Sequence, residues 1–208
     1  EKLEDIIAGI SLYRPGPMDQ IPRYIENKNH PENIKYEHPL LKPILDVTYG
    51  CMVYQEQVMQ IVRDLAGYSL GRSDLVRRAM AKKKMKVMEE ERKNFIYGIK
   101  DESGNYVVPG AINKGVDEAT ANRLFDEMID FANYAFNKSH AAAYAVVAFQ
   151  TAYLKKYYPV EFMAALLNSF VDNTDKVAFY VQVLKKMGIQ VLPPDINESY
   201  SHFSVVNG

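Results

Sequence analysis

The sequence predicts a mainly α-helical fold, a multi-helix domain with short extended or hairpin excursions. Three observations carry that reading. Two stretches repeat apolar residues at three- and four-residue spacing: Val58, Met59, Ile61, Val62, Leu65 and Ala66, then Ala121, Leu124, Phe125, Met128, Ile129 and Ala132. That is the period of a helix with one buried face. Start and stop signals frame such stretches, with Asp117 and Asn173 or Thr174 as N-caps, Pro159 in a first turn, and Gly67 and Gly188 as terminators. The extended candidates, 106–112 and 189–192, are short and bounded by turn residues.

In order, Leu3, Ile6, Ile7 and Ile10 mark a short amphipathic helix, which Tyr13-Arg-Pro-Gly-Pro17 must break. Ile21, Tyr24 and Ile25 suit a second short helix within 18–28. His30 and His38 each precede a proline, and neither has other ligand-type residues at metal spacing. The apolar segments 40–45 and 51–54 are split by a turn at Tyr49-Gly50. Gln55, Glu56 and Gln57 open the first strong helix, where the helix dipole alone would favour Glu56. A further helix spans 88–99, residues 101–105 turn, and Asp117 leads a helix to about 134 whose Asp126, Glu127 and Asp130 read as solvent contacts. Helices over 137–157, from 159, and over 173–187 complete the set before a Pro193-Pro-Asp-Ile-Asn197 linker.

The chain has 208 residues, 48% apolar and 25% charged, with net charge −1. This is ordinary for a soluble domain with room for a real core. One cysteine, Cys51, rules out an internal disulfide and fits a reducing cytosol; its apolar neighbours suggest an inert buried thiol. No basic-then-apolar leader opens the chain, and the low-charge run at 141–154 is too short and polar to span a bilayer. The expectation is a cytoplasmic protein without a membrane partner. The chain reads as a piece of a longer protein: a helical domain over 1–192, then a linker and the start of the following region over 193–208. It has no Walker loop, dinucleotide-type glycine pattern or paired-cysteine metal site.

Two stretches carry chemistry. Residues 71–86 hold Arg72, Arg77, Arg78, Lys82, Lys83, Lys84 and Lys86 against one acid, Asp74. With Ser73 or Asp74 as N-cap, Leu75, Val76, Ala79 and Met80 share the buried arc of a helix. Arg77 and Lys84 then lie opposite, Arg78 and Lys82 flank it, and the helix bends or ends near Lys83. Cations on an anchored helix suit a polyphosphate or nucleic-acid backbone; a merely solvated basic face is the alternative. The second stretch, Phe136-Asn-Lys-Ser-His-Ala-Ala-Ala-Tyr144, begins a helix capped by Asn137 or Ser139. Free N–H groups with Lys138, Ser139 and His140 beside them suit an anion. A capped helix with a hydrogen-bonded His140 is equally consistent with these residues.

Six blocks in order resemble one family: Ser11–Met18, Tyr49–Met59, Arg77–Lys84, Phe136–Tyr144, Tyr158–Ala165 and Leu192–Asn197. Together they are similar to the fingers region of the bacterial replicative DNA polymerase III alpha subunit, a family C polymerase. The resemblance implies a helical fingers domain that closes over an incoming dNTP and helps hold template–primer DNA, in an enzyme working by two-metal nucleotidyl transfer. By motif, Arg77, Arg78, Lys82, Lys83 and Lys84 would meet the triphosphate or nearby backbone. Asn137, Lys138, Ser139 and His140 would form a second wall with Tyr144 behind, and Gln55 and Gln57 are weaker candidates. The family often has Gly at Ala81. Its metal-binding aspartates lie in the palm, ahead of the matching segment, and nothing in 1–208 matches them. The resemblance thus implies that Mg2+ is bound outside this chain, that sliding clamp and clamp loader meet other parts of the protein, and that this piece alone does not polymerise. The alternative from another class is a stand-alone helical nucleic-acid-binding module using the basic helix; a helical scaffold with solubilising charges is the third.

Overall fold

A computed structural model describes residues 2–82 and 85–206, leaving aside the side chain of Met85. It is mainly helical, as expected, with one small antiparallel hairpin. The chain divides into two compact units, Glu1–Ala145 and Val146–Gly208.

The first unit is built around α4 (Gln55–Ala66), whose Val58, Ile61, Val62 and Leu65 are wholly buried. The helical period that put these residues on one face also requires partners to cover them. Val76 and Met80 of α5 (Leu70–Ala81), Phe95 and Ile96 of α6 (Met85–Tyr97), and Leu124, Phe125 and Met128 of α7 (Glu118–Ala132) provide that cover. A second cluster joins Ile7, Ala8 and Leu12 of α1 (Leu3–Leu12) and Tyr24 of α2 (Ile21–Asn29) to Cys51, Val53 and Tyr54. Ala141 and Ala145, in the first turns of α8 (Lys138–Tyr157), complete it. α3 (Lys42–Leu45) leads to the expected turn, where Tyr49 and Gly50 are left-handed. Cys51 is buried, and burial pushes its thiol up.

β1 (Ile99–Lys100) and β2 (Tyr106–Val108) pair antiparallel, Ile99 opposite Val108. The returning chain is pinned to the core, because Gly110 N–H donates to Ala66 O at 2.9 Å and Ala111 N–H to Phe95 O at 2.8 Å. The second unit carries α9 (Pro159–Asn168) and α10 (Thr174–Lys186), packed through Met163, Leu167 and Leu184. Asn168 clasps the backbone of Phe203 from both sides, at 2.9 and 2.8 Å.

Asp117, Asn137 and Asn173 cap helices as expected, each accepting from a backbone N–H three residues on. Three expectations change. The basic helix starts earlier, because Ser69 is extended and its Oγ accepts from Arg72 N–H. Ser73 is then a buried helical residue donating to Ser69 O, and Asp74 is bound to arginines instead of capping. The covered face of α5 is Ser73, Val76 and Met80, leaving Leu75 65% exposed. Residues 189–192 form no strand: Ile189 N–H donates to Leu184 O, closing the end of α10. Lys83 and Lys84 lie outside the described residues.

Gly98 and Gly104 have nearly the same left-handed φ, +85° and +84°, but a Cβ at Gly98 would meet two carbonyl oxygens at 2.4 Å while one at Gly104 meets nothing. Gly104→Ala is expected to cost about 1 kcal/mol, from backbone strain alone. Gly98→Ala is expected to cost at least about 3 kcal/mol, since the hairpin must also shift. Denaturant unfolding of the two variants checks the contrast.

Candidate functional site

Two chain segments distant in sequence run side by side just before each becomes a helix. Tyr54 and Phe136 form a parallel bridge. Gln55 N–H donates to Phe136 O at 2.9 Å, Phe136 N–H to Val53 O at 3.4 Å, and Gln55 Nε2 to Ala135 O at 3.2 Å. One residue beyond this bridge α4 begins, and two residues beyond it α8 begins, so their N-terminal ends are neighbours. Arg14 buttresses the same place: its Nη2 donates to Tyr134 O at 2.6 Å, and its guanidinium lies 4.4 Å from the Phe136 ring centre.

The polar residues at the start of α4 divide their work. Gln57 is 3% exposed and its amide is fully engaged. Its Oε1 accepts from Val53 and Tyr54 N–H at 2.8 and 2.9 Å, and its Nε2 donates to Ile44 O and Thr48 Oγ1 at 3.2 and 2.7 Å. It therefore fixes the loop ahead of α4 from inside and offers nothing to a ligand. Glu56 instead reaches across to α8, both carboxylate oxygens accepting from Lys138 N–H at 3.2 and 3.1 Å. Asn137 Oδ1 accepts from His140 N–H at 2.9 Å. Two of the N–H groups expected to stand free for an anion are thus engaged inside the protein.

The side chains of this turn do face outward. Ser139, His140 and Tyr144 are exposed. The His140 ring lies between Phe136 and Tyr144, with centroids 5.5 and 4.8 Å away. The Lys138 ammonium stands 5.3 Å from the ring centre of buried Tyr54, whose hydroxyl burial pushes up.

On α5, Asp74 holds both arginines. Its carboxylate accepts from Arg77 Nη2 and Nε at 2.7 and 3.0 Å and pairs with Arg78 Nε at 2.7 Å. The Arg77 side chain is 16% exposed and that of Arg78 62%. Lys82 is exposed at the end of the helix. α4 and α5 are each twelve residues, roughly 18 Å long. The short link of Gly67, Tyr68 and Ser69 joins them, and α5 packs against α4, with Val76 and Met80 in the same buried cluster as Val58, Ile61, Val62 and Leu65. Arg77, Arg78 and Lys82 lie in or just after the C-terminal half of α5, and α4, against which α5 packs, is the helix to which α8 is bonded. Among the described residues no hydrogen bond or ion pair joins these cations directly to Asn137–Tyr144.

Glu56, Arg14, Tyr54 and Asp74 were not singled out as functional from sequence. Glu56 and Arg14 find their partners 82 and 120 residues away, so no local pattern could reveal them. Asp74 had a local signal, because acids three and four residues before arginines on a helix are within reach.

Among the described residues there is no group of three or more His, Cys, Asp or Glu able to hold a metal ion, and no helix is long and apolar enough to cross a membrane. His30 faces Glu32 at 3.2 Å, and His38 Nδ1 accepts from Leu40 N–H at 3.3 Å.

Residues 1–103 match the family described as the bacterial DNA polymerase III alpha subunit finger domain. Over 99% of its length the chain is 53% identical to the DNA polymerase III subunit alpha of Thermus aquaticus, and it covers 16% of that protein. The corresponding figures are 48% identity over 100% of the chain, covering 17% of the relative, for Treponema pallidum. They are 49% over 97%, covering 17%, for Pasteurella multocida. The chain belongs to the bacterial DNA polymerase III alpha-subunit family. It spans about one-sixth of the length of these relatives, and the family's finger match includes α4, α5 and the Asp74 cluster while α8 lies beyond it.

Asp74 gives this family member a pH-dependent element. The Arg77 hydrogen bonds, against opposing burial and with help from Arg78, hold its carboxyl below the usual range. A group depressed in the folded state contributes stability above its unfolded pKa, about 4, and loses it as pH falls through the lower folded value. Asp74→Asn is expected to cost about 0.5–1 kcal/mol at neutral pH, the scale of a partly exposed pair. The gap from wild type should close as pH drops below about 4. Unfolding curves for both proteins across that range check this.

Proposed function

We propose that this chain is the finger region with which a replicative DNA-directed DNA polymerase meets an incoming deoxynucleoside triphosphate and the nearby template–primer. The observation that carries this reading is the junction at Tyr54 and Phe136. It ties the first turn of α8 to the first turn of α4, and α4 in turn carries the basic helix α5. In this reading Arg77, Arg78 and Lys82 form one wall of a phosphate-facing cleft, and the family resemblance assigns Lys83 and Lys84, which lie outside the described residues, to the same phosphates. Lys138, Ser139 and His140 form the other, with Asn137 fixing the turn and Tyr144 extending the exposed ring row. Gln55 contributes at the base of the cleft, and Gln57 supports it only from beneath.

The chemistry of these groups suits binding. Guanidinium and ammonium groups neutralise phosphate charge and orient it. In the full-length enzyme Mg2+, held by residues outside this chain, supplies the charge neutralisation needed for two-metal nucleotidyl transfer. The finger domain extends over 1–192, with 193–208 leading into the following region. Sliding clamp and clamp loader engage other parts of the cytoplasmic enzyme.

In the full-length polymerase, Arg78→Ala and Lys138→Ala are each expected to raise the dNTP KM about ten- to a hundredfold, the loss of one charge-assisted contact. Steady-state primer extension at varied dNTP concentration measures this. An unchanged KM in both variants contradicts the assignment. A stand-alone nucleic-acid-binding module would instead lose DNA affinity with salt whether or not a triphosphate is present.

A further inference from the structure

Glu56 is in the first turn of α4, where its own helix dipole would suffice to explain an acid. The structure gives it a more demanding position. Its carboxylate leaves its own helix and takes the backbone N–H of Lys138 with both oxygens, at 3.2 and 3.1 Å. Two helix N-termini, each carrying roughly half a positive charge, converge there with the Lys138 side chain, and this one carboxylate bridges them. Asn137 supplies the remaining cap of α8 from within. We infer that Glu56 is a positioning residue for nucleotide binding: by fixing Lys138 N–H against α4, it sets the spacing between the α8 wall and the α5 wall of the cleft. This rests on the nucleotide-facing reading above and adds to it a residue that does not touch the nucleotide.

The geometry explains why this bond should reach the binding step. The backbone at Lys138 determines where the Lys138 ammonium, the Ser139 hydroxyl and the His140 ring emerge. The bridge at Tyr54 and Phe136 holds the chain only as far as residue 136. Beyond it, Glu56 supplies the hydrogen bond from α4 to the first residue of α8. Since α4 also carries α5, a slack first turn of α8 would leave the two cationic walls out of register. A competing role predicts the opposite sign. If Glu56 were a stand-in anion that the triphosphate displaces, removing its hold would tighten nucleotide binding.

The test is single-turnover primer extension by the full-length polymerase, reading apparent dNTP Kd and maximal rate separately. Glu56→Asp keeps the charge and the helix-start preference but withdraws the carboxylate from Lys138. It is expected to raise the dNTP Kd about tenfold while the maximal rate falls less than about threefold. Glu56→Gln keeps an acceptor oxygen at the same reach and is expected to stay within about threefold of wild type in both. Primer–template Kd and the unfolding midpoint should move little in either variant, whereas a general structural lesion would lower rate, DNA affinity and stability together. An unchanged or lower dNTP Kd in Glu56→Asp overturns the inference, as does a Gln variant no better than the Asp variant. Lys138→Ala, measured alongside, separates the two levels. If it and Arg78→Ala both leave dNTP Kd unchanged, the nucleotide-facing reading fails; if Lys138→Ala weakens binding while Glu56→Asp does not, only the positioning role fails.

Discussion

The parallel pairing of Tyr54 with Phe136 is the constraint on which the site depends. Eighty-two residues separate the partners, and closing a loop of that length has an entropic cost that local bonds cannot offset. Burial offsets it. Tyr54, Val53 and Cys51 lie in one cluster with Ala141 and Ala145, so the small alanines bring α8 against the strand-like segment. With the two backbones in register, the hydrogen bonds of Gln55, Glu56 and Phe136 follow from ordinary geometry. Each satisfies a polar group at a partly buried junction. Gln57 does the same for the loop beneath, with one amide meeting four polar atoms.

On that footing, the electrostatics are arranged rather than simply positive. The chain is nearly neutral overall, yet its cations sit on helices whose backs are buried, and acids hold the nearest of them in place. Asp74 locks two guanidiniums, and Glu56 locks the backbone at Lys138. Holding cations in fixed directions lowers the ordering cost when an anion arrives, while the counter-charges limit their mutual repulsion. The exposed row of His140 and Tyr144 offers flat ring faces beside these charges, a combination suited to phosphate and base together.

Much of the fold was legible because it is local. The stripe over 58–66, the stop at Gly67 and the caps at Asp117, Asn137 and Asn173 are set within a turn or two of chain. Two local readings failed where tertiary packing intervened. Ser69, two residues ahead of Gly71, proved the better cap, and cover from α4 and α7 settled on Ser73, Val76 and Met80, leaving Leu75 to solvent. The candidate site was legible as residue types but not as an arrangement. The blocks around Arg77 and Asn137 were both visible, and so was their family likeness. That Lys138 N–H is already engaged depends on Glu56, 82 residues away, and Gln57 is internal because the chain before it folds back on its amide.

In the proposed site one footing holds two cationic walls toward the same ligand. A structure of the full-length polymerase with primer–template and an incoming nucleotide tests it most directly. Triphosphate oxygens are expected within hydrogen-bond reach of the Arg77–Lys82 stretch on one side and of the Lys138–His140 turn on the other, with Tyr54 and Phe136 still paired. Phosphates bound against neither stretch, or against one while the other faces away, would contradict it.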